Sequence, residues 1–597
     1  MNKRSRFDSI YFPFRLLTLY IIGINLWRLL FLFYNDVPQK AQTIIAGFRL
    51  DISMICGIFL VSFLPWILFL IFGKDWIKKI ILYLNILLWI GICIVEYSSV
   101  IIYKEWGTSL DSRAISYLKH PNEAWASSKD FIPFWATIIG LFILVSGIKR
   151  ISRLFVSWEP VKSHYLQTFI FVLLCLAASL IGIRGGLQKL PVTPSDAFFS
   201  TDMRSNFAAT NKIWYFIYSI TKKTELSYQN SIEDIQGFIN QYQLEKDTST
   251  LSNPLFKGKN IVLLINEGWS ADMTKYLGGR DNVTPFFDSI SQYSLRFTNT
   301  FSTGFRTDQG LMNILSGMPS IHSLNMPNAI NKVNKYPSLC KEIETMGYQS
   351  SFVYGGDLNF SNLYNYLVTQ GFDTIISDQN FPSSDDITEW GVPDHIMLKK
   401  AVEVLDHQKQ KFFSTILLMS SHSPFDVPWQ NEFKGSDIST KYKSSVRYSD
   451  QSLKQFFKES ASKPWFTNTV FIITSDHGST HSGWAGMEDH NRFRIPFIIF
   501  DPSKPWSEDG QENSICNNHF DVASTVLSGM GLPSEKFIFS RNIMSESVSY
   551  NAYWNIDIAS GCYGKDHQEI INLNKVQNPK SKSVLFLDAV KLYFNQL

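Results

Sequence analysis

Long apolar stretches fill the first third of the chain and limit its fold more than any other feature. About 20 mostly apolar residues are enough to span a bilayer as a helix. The alternative, buried helices of a soluble protein, is disfavoured because runs such as 80–95 are apolar on every face. We therefore predict an α-helical transmembrane domain of five spans, at residues 11–33, 50–73, 76–103, 131–148 and 165–184.

Basic residues are concentrated in one set of loops between these spans. They precede span one, separate spans two and three, and separate spans four and five: Lys3, Arg4, Arg6, Lys74, Lys78, Lys79, Lys149, Arg150, Arg153 and Lys162. Cytoplasmic loops are enriched in Lys and Arg, so the N-terminus is predicted to be cytoplasmic and everything after about residue 185 to lie outside. Arg15 and Arg28 interrupt the first span, and we expect both side chains to reach towards the headgroups.

Net charge and cysteine content exclude two classes of function. A formal net charge of +3 over 597 residues gives no basis for nucleic-acid binding. The six cysteines include no CxxC pair, which argues against a disulfide framework or a thiolate metal site.

The chain divides into three predicted regions, at 1–187, 188–256 and 257–597. The middle region is a juxtamembrane connector that ends in a polar linker at 247–253. Its aromatic cluster at 214–218 precedes Lys222 and Lys223, a composition typical of the membrane interface. Packing of these aromatics against the outer domain is an equally good interpretation.

The outer region alternates short apolar runs with segments of helical composition. The predicted strands are 260–265, 350–354, 412–418, 469–474 and 495–500, and the helical segments include 308–316, 337–346 and 394–408. This alternation predicts an α/β domain in which a largely parallel sheet is sandwiched by helices. Residues 536–597 are expected to add a small antiparallel unit.

Four of the predicted strands are each followed by polar residues that can bind metal or phosphate. These residues are Glu267, Asp357, His422 and the pair Asp476-His477. In open α/β sheets, ligands bind outside the carboxyl ends of the strands. We therefore expect these side chains to converge on one crevice.

Asp476 and His477 are the strongest candidates for metal ligands. A carboxylate and an imidazole side by side at a strand end can reach one divalent cation, and Gly478 allows a tight turn there. Glu267 offers a third ligand. A coincidental loop for the Asp-His pair, and a solvated carboxylate for Glu267, remain open alternatives.

Thr307 lies after a loop that contains glycine and arginine, at the start of a predicted helix. A helix N-terminus favours bound anions, and a bound metal can activate a hydroxyl as a nucleophile. Arg306 beside it can pair with a phosphate. The alternative is that Thr307 merely caps the helix.

Taken together, Glu267, Thr307 and Asp476-His477 resemble the alkaline phosphatase/sulfatase superfamily, in particular the lipoteichoic acid synthase-like phosphoglycerol transferases. The resemblance implies that Glu267, Thr307, Asp476 and His477 hold one divalent metal ion, manganese first, with magnesium or zinc as alternatives. It also implies that Thr307 is the nucleophile and that His422 contacts the substrate phosphate. The stretch ending in Asp357 resembles the substrate-side loop.

Two departures from that family leave the headgroup and the acceptor open. Arg306 stands where lysine is usual, and the loop at 354–362 carries different polar residues. Sulfate-ester hydrolysis is disfavoured because Cys340, Cys516 and Cys562 lack the C/S-x-P-x-R context that formylglycine formation needs. Asp394, His481, His490 and His519 are further residues that can reach the crevice.

The expected activity is headgroup transfer at the outer face of the cytoplasmic membrane. The donor is a phospholipid carrying phosphoglycerol, or phosphoethanolamine as second choice, and the acceptor is a glycan, a lipid or a glycerol phosphate polymer. One alternative is a membrane-tethered phosphodiesterase or phosphatase that uses water. The other is a catalytically silent binding or sensory protein. The oligomeric state is not predicted.

Overall fold

The structure is a computed structural model in which two compact units, Met1–Lys223 and Thr224–Leu597, are distinguished. It describes residues 3–106, 109–111, 114, 133–156, 165–188, 191–200, 202–221, 226–246, 254–322, 324, 326–385, 387–429, 433, 435–479, 481, 483, 489–504, 511–544, 550–556, 558–565 and 567–597. Lys222, Lys223 and the predicted linker at 247–253 lie outside the described residues. The region boundaries at 187 and 256 stay predictions.

Five long helices form most of the first unit. They are α1 (Lys3–Tyr34), α2 (Lys40–Phe72), α3 (Asp75–Trp106), α4 (Phe134–Val156) and α5 (Tyr165–Arg184). Within the described residues, α1 to α4 are long and apolar enough to cross a membrane, and Phe169–Arg184 of α5 is a shorter apolar helix. Two short helices follow, α6 (Met203–Ala209) and α7 (Lys212–Thr221).

Arg28 does not reach towards the headgroups, and for this residue the prediction is wrong. Its side chain is buried, and its guanidinium forms an ion pair with Asp51 of α2, with Nη2 at 2.7 Å from Oδ1. The same guanidinium donates to the carbonyls of Ala208 and Ala209 on α6, at 3.2 and 3.0 Å. A carboxylate on the facing helix therefore neutralises Arg28 inside the unit.

The second unit is built on one eight-stranded sheet. Its strands are β1 (Asn260–Asn266), β2 (Leu295–Phe297), β4 (Gln349–Tyr354), β5 (Thr374–Ile376), β6 (Phe412–Leu417), β7 (Thr469–Ser475), β8 (Phe497–Phe500) and β9 (Gln511–Asn513). The order across the sheet is β5-β4-β6-β1-β7-β8-β2-β9. The five strands from β5 to β7 are mutually parallel, whereas β8 is antiparallel to both β7 and β2. The prediction of a largely parallel sheet is confirmed.

Residues of β1 alternate between two apolar cores, which explains the unbroken apolar run. Ile261, Leu263 and Ile265 pack into one core, and Val262 and Leu264 pack into the other. A strand covered by helices on both faces needs apolar side chains at every position. The helices of this unit are α8 (Ile232–Leu244), α9 (Pro285–Ser291), α10 (Thr307–Ser316), α11 (Ile330–Val333), α12 (Leu339–Glu344), α13 (Leu363–Gln370), α14 (Asp394–Asp406), α15 (Ile438–Ser460), α16 (Val522–Met530) and α17 (Lys582–Gln596).

The end of the chain forms the expected small antiparallel sheet, of β11 (Ala552–Asn555), β12 (Ala559–Gly564) and β13 (His567–Asn572). The two remaining strands, β3 (Thr300–Phe301) and β10 (Asn517–Asn518), pair with each other. All six cysteines are free thiols.

Candidate active site

Strands β6, β1 and β7 lie side by side and end at the same level. Ile265 of β1 is in register with Leu417 of β6 and with Thr474 of β7. The residues that follow the three strands therefore emerge at one edge of the sheet. The expected convergence is seen there for Glu267, Asp476 and His477.

Glu267, Asp476 and His477 form a compact group of potential metal ligands. His477 Nε2 lies 3.5 Å from Glu267 Oε1 and 3.4 Å from Asp476 Oδ2. One ligand atom from each residue can be chosen so that all three atoms lie within 4.8 Å of one another. A single cation can be held by such a set, because two carboxylates and an imidazole are ordinary ligands for a divalent metal.

In each of these three side chains, hydrogen bonds occupy one polar atom and leave the other available to a metal ion. His477 Nδ1 bonds to the carbonyl of Gly478 at 2.9 Å, which assigns the hydrogen to Nδ1 and the lone pair to Nε2. Asp476 Oδ1 accepts from the backbone N–H groups of Gly268 and His477, each at 2.8 Å. Asp476 Oδ2 is buried and accepts no hydrogen bond from any residue that the structure describes.

The electrostatic environment of the group favours the binding of a cation. Burial raises the pKa of Glu267 well above its usual value, and the neighbouring Asp476 raises it further. Two buried acids side by side are costly unless a cation neutralises them. The orphaned Asp476 oxygen and the His477 lone pair are the atoms that such a cation would contact, so the residues fit a divalent metal.

Thr307 is brought into the same group by the start of α10. Its hydroxyl donates to Glu267 Oε2 at 3.0 Å. The cap position of this helix is occupied by Arg306, and Thr307 is the first helical residue. The hydroxyl is thus committed to Glu267 rather than to the helix backbone, which weighs against the capping alternative.

Gly310 allows α10 to approach the end of β7. A Cβ atom at this position would lie 2.3 Å from the carbonyl oxygen of Asp476, closer than any side chain permits. The helix can therefore pack directly on Asp476 only with glycine there. Thr307 lies one helical turn before Gly310, so this contact helps to hold its hydroxyl beside Glu267.

The Arg306 guanidinium is held mainly by hydrogen bonds to nearby residues of the protein. Its Nε and Nη2 each donate to the Asp308 carboxylate at 3.0 Å, and Nη2 also donates to the carbonyl of Leu324 at 2.9 Å. Nη1 lies 3.4 Å from the carbonyl of His322. Most of its donors are therefore engaged within the protein.

His422 follows β6, one strand away from β1. Its Nδ1 bonds to the carbonyl of Ser423 at 2.7 Å, and its ring packs against Trp390 with centroids 4.0 Å apart. Trp390 Nε1 donates to the same carbonyl at 2.7 Å. Burial lowers the pKa of His422. The sequence gives no signal for Trp390, because its contact with His422 joins two separate loops.

Asp357 follows β4, which is two strands away from β1. Neighbouring strands are about 4.8 Å apart, so β4 and β1 end roughly 10 Å apart along the same edge of the sheet. Its Oδ1 accepts from the backbone N–H of Asn359 at 2.8 Å.

Asp394 supports the turn that leads from β6 to His422. Its buried Oδ1 accepts from the backbone N–H groups of Met419 and Ser420 at 2.9 and 3.2 Å, and its Oδ2 accepts from Ser449 Oγ at 2.6 Å. Burial raises the pKa of this carboxyl. Asp394 therefore positions the backbone before His422.

The other three candidate histidines, His481, His490 and His519, each contact residues outside the Glu267–Asp476–His477 group. His519 is buried with Nε2 at 2.8 Å from Asn313 Oδ1, and burial lowers its pKa to about 3. His490 stacks on Tyr563 with centroids 4.6 Å apart. His481 packs edge-on to Phe425, at 5.3 Å.

Comparison with known proteins agrees with this fold. Residues 259–532 match the sulfatase family. Lipoteichoic acid synthase 1 of Bacillus subtilis is 24% identical over 389 residues, which cover 56% of this chain and 59% of that relative. A lipoteichoic acid synthase of Staphylococcus aureus is 23% identical over 446 residues, covering 70% and 67% of the two chains. The match thus spans less than two thirds of the first relative's length.

A solved structure of a protein in the alkaline phosphatase superfamily from Vibrio parahaemolyticus has the same fold. The two superpose with a TM-score of 0.54 at 23% identity, over 62% of this chain and 96% of that one. The family match and the solved structure therefore agree on an α/β fold for the second unit. In sequence, the chain is similar to lipoteichoic acid synthases.

Proposed function

We propose that the protein is a membrane-anchored transferase that moves the phosphoglycerol headgroup of a phospholipid to an acceptor hydroxyl. Phosphoethanolamine is the second candidate headgroup. The observation that carries this proposal is the hydrogen bond from Thr307 to Glu267, inside the group formed with Asp476 and His477. A threonine cannot become formylglycine, so the nucleophile suits phosphoryl transfer rather than sulfate-ester cleavage. The named relatives support the same choice.

Glu267, Thr307, Asp476 and His477 are the residues that would hold the divalent cation. Carboxylate and hydroxyl ligands suit manganese or magnesium, and the imidazole also suits zinc. A cation bound there would lower the pKa of the Thr307 hydroxyl and offset negative charge on the phosphoryl group. Manganese is the first choice in this proposal, with magnesium and zinc as alternatives.

The reaction would proceed in two half-reactions on Thr307. Thr307 Oγ1 forms a bond to the donor phosphorus while the bond from phosphorus to the diacylglycerol oxygen breaks. The hydroxyl proton leaves along the hydrogen bond to Glu267, and the diacylglycerol oxygen takes up one proton. The acceptor hydroxyl then displaces Thr307 from phosphorus, loses its proton, and Thr307 regains one.

His422 is proposed to hold a phosphate oxygen or to protonate the leaving oxygen. With the Nδ1 hydrogen given to Ser423, Nε2 can donate only when the ring is protonated. Burial lowers the pKa of His422 in the free protein, whereas the negative charge of a bound phosphodiester would raise it again. Arg306 and Asp357 stay predicted substrate contacts, and Arg306 would have to exchange bonds with Asp308 for this role.

We further propose that the N-terminus is cytoplasmic and that the sulfatase-family domain lies outside. The apolar helices α1 to α4 and the basic loops between them support this arrangement. The donor phospholipid and the released diacylglycerol would both stay in the membrane. The acceptor would be a glycan, a lipid or a glycerol phosphate polymer, and no nucleic acid is involved.

The test is mass spectrometry of the Thr307 peptide after incubation of the full chain with a phospholipid and Mn²⁺. Phosphatidylglycerol and phosphatidylethanolamine are supplied separately, so the mass of the adduct identifies the headgroup. Thr307→Val, which keeps the shape and removes the hydroxyl, should form no adduct and lose about 10⁴-fold or more in activity. Thr307→Ser should keep the adduct at a reduced rate.

The same experiment separates the rival functions. Release of free glycerol phosphate without transfer to any offered acceptor would indicate a phosphodiesterase that uses water. If neither lipid modifies the wild-type peptide and no product is released, the transferase proposal fails. Unchanged cellular function in Thr307→Val would indicate a silent binding protein.

A further inference from the structure

A groove of about 510 Å³ lies in the first unit between α1, α3 and α4. This volume is in the range of pockets that hold small-molecule ligands. Most of its lining is apolar, and its polar residues are mainly three arginines. These arginines are Arg15, Arg150 and Arg153.

Trp89 of α3 forms the floor of the groove in a slot between two glycines. A Cβ atom at Gly23 of α1 would lie 2.2 Å from the indole, and one at Gly147 of α4 would lie 2.1 Å from it. The indole Nε1 donates to the carbonyl of Leu144 at 3.1 Å, which fixes the ring. The groove therefore has a rigid wall that only glycine at both positions permits.

The side of the groove is apolar and open, and one end is basic. Ile22, Leu26 and Phe142 at the rim are exposed apolar residues, so in a bilayer the groove would open to hydrocarbon. Arg150 and Arg153 lie near the C-terminal end of α4, which meets the N-terminal half of α1 through the contact of Phe12 with Phe155.

Arg15 of α1 lies at this same end of the groove. The bundle thus presents three guanidinium groups next to an apolar channel at one end. Arg28 and Asp51 pair with each other nearer the other end of the unit, where the carbonyls of α6 are.

We propose that this groove binds one phospholipid with an anionic headgroup from the surrounding leaflet. The phosphate would pair with Arg15, Arg150 and Arg153, because guanidinium groups match phosphate oxygens in geometry and charge. One acyl chain would lie along Trp89 towards Leu26. Basic pockets between membrane helices are suited to such headgroups. The site uses none of the residues of the proposed reaction, so it is independent of the transferase proposal.

The occupant is expected to be anionic rather than zwitterionic. Three cationic side chains line the headgroup end, and the other polar residues in the described part of the lining are Thr18 and Ser146. A choline headgroup would place its own positive charge beside the arginines, which is unfavourable. Charge complementarity therefore favours an anionic lipid such as phosphatidylglycerol.

Native mass spectrometry of the full chain, titrated with dioleoylphosphatidylglycerol or dioleoylphosphatidylcholine in detergent, tests the proposal. The key variant is Arg15→Gln/Arg150→Gln/Arg153→Gln. The matched control is Lys74→Gln/Lys79→Gln/Lys149→Gln, which removes the same charge from the same end without touching the groove. Wild type and the lysine variant should bind phosphatidylglycerol alike, and the arginine variant at least about tenfold more weakly.

A second variant keeps the test decisive if the arginine variant folds poorly. Ser146→Trp retains all three arginines but fills the apolar part of the groove, so it should also lose the bound phosphatidylglycerol. All these variants keep the proposed active site around Thr307. Any lipid bound there therefore contributes equally to each variant and does not affect the comparison. Undiminished binding by Ser146→Trp and the arginine variant, or an equal loss in the lysine variant, would overturn the proposal.

Discussion

Both units of the protein bury carboxylates, but they neutralise them in different ways. In the first unit Asp51 is paired with Arg28 and also accepts from Asn211 Nδ2 at 2.9 Å. In the second unit Glu267 and Asp476 lie close together, and the His477 imidazole and the Thr307 hydroxyl contact them. A complete ion pair indicates a structural role, whereas two incompletely neutralised acids indicate a site for a cation.

Asp394 shows a third way to keep a carboxylate inside the protein. It has no cationic partner among its hydrogen bonds in the described part of the chain, but two backbone N–H groups and one hydroxyl donate to it. Buried acids are therefore not equivalent as site candidates. The partners of each oxygen distinguish them, and the three predictions below test this distinction.

The largest effect is expected from Asp476→Asn. Removing this ligand should lower transferase activity by about 10³-fold or more, because the amide cannot replace the carboxylate at the metal. Wild type should melt at a higher temperature in Mn²⁺ than in EDTA, since a ligand at 100 times its Kd adds about 2.7 kcal/mol of stability. Calorimetry with and without metal measures this gain.

The sign of the Asp476→Asn effect on stability should depend on the metal. In EDTA the variant should be as stable as wild type or more stable, because the repulsion between two acids is removed. In Mn²⁺ it should lose the gain that wild type shows. A variant stabilised by Mn²⁺ as much as wild type would contradict the cation site.

Asp51→Asn is expected to have the next largest effect, on stability alone. Leaving Arg28 buried without its carboxylate should cost about 3–5 kcal/mol, with or without metal. The thermal midpoint of the detergent-solubilised protein measures this cost. The matched double variant Arg28→Met/Asp51→Leu should recover much of the lost stability, and failure to recover any would argue against a simple ion pair.

Asp394→Asn should have the smallest effect. The amide oxygen can still accept from the backbone, but the amide nitrogen faces the Ser449 hydroxyl, so we expect a cost of about 1–3 kcal/mol. Because the turn before His422 is held by this residue, donor KM should rise while metal stabilisation stays as in wild type. A lost Mn²⁺ response would place Asp394 among the metal-binding residues instead.

Sequence patterns predicted the centre of the sheet well. The strands at 260–265, 350–354, 412–418 and 469–474 are β1, β4, β6 and β7, because strands buried on both faces must be continuous apolar runs. The predicted helices at 308–316 and 394–408 correspond to α10 and α14. Glu267 and the pair Asp476-His477 converge because β1 and β7 are parallel and end at one edge.

Other elements were beyond the reach of local patterns. Strands β2 and β9 have three residues each, too few for a period to be recognised. Helix α15 is rich in serine, a weaker helix former than alanine or leucine, so packing contributes strongly to its stability. The partner of Arg28 was missed because Asp51 faces it from another helix. Likewise, only the tertiary structure shows that the Thr307 hydroxyl bonds to Glu267 rather than capping the helix.

The sequence by itself determined which segments are long apolar helices or buried strands, and which polar residues stand at the strand ends. These features can be read from the sequence because the apolar patterns that encode them involve residues only a few positions apart. Only the tertiary structure decided which charges meet, because residues such as Glu267, Thr307 and Asp476 are far apart along the chain. The register of β1 with β7 and the close approach at Gly310 bring them together.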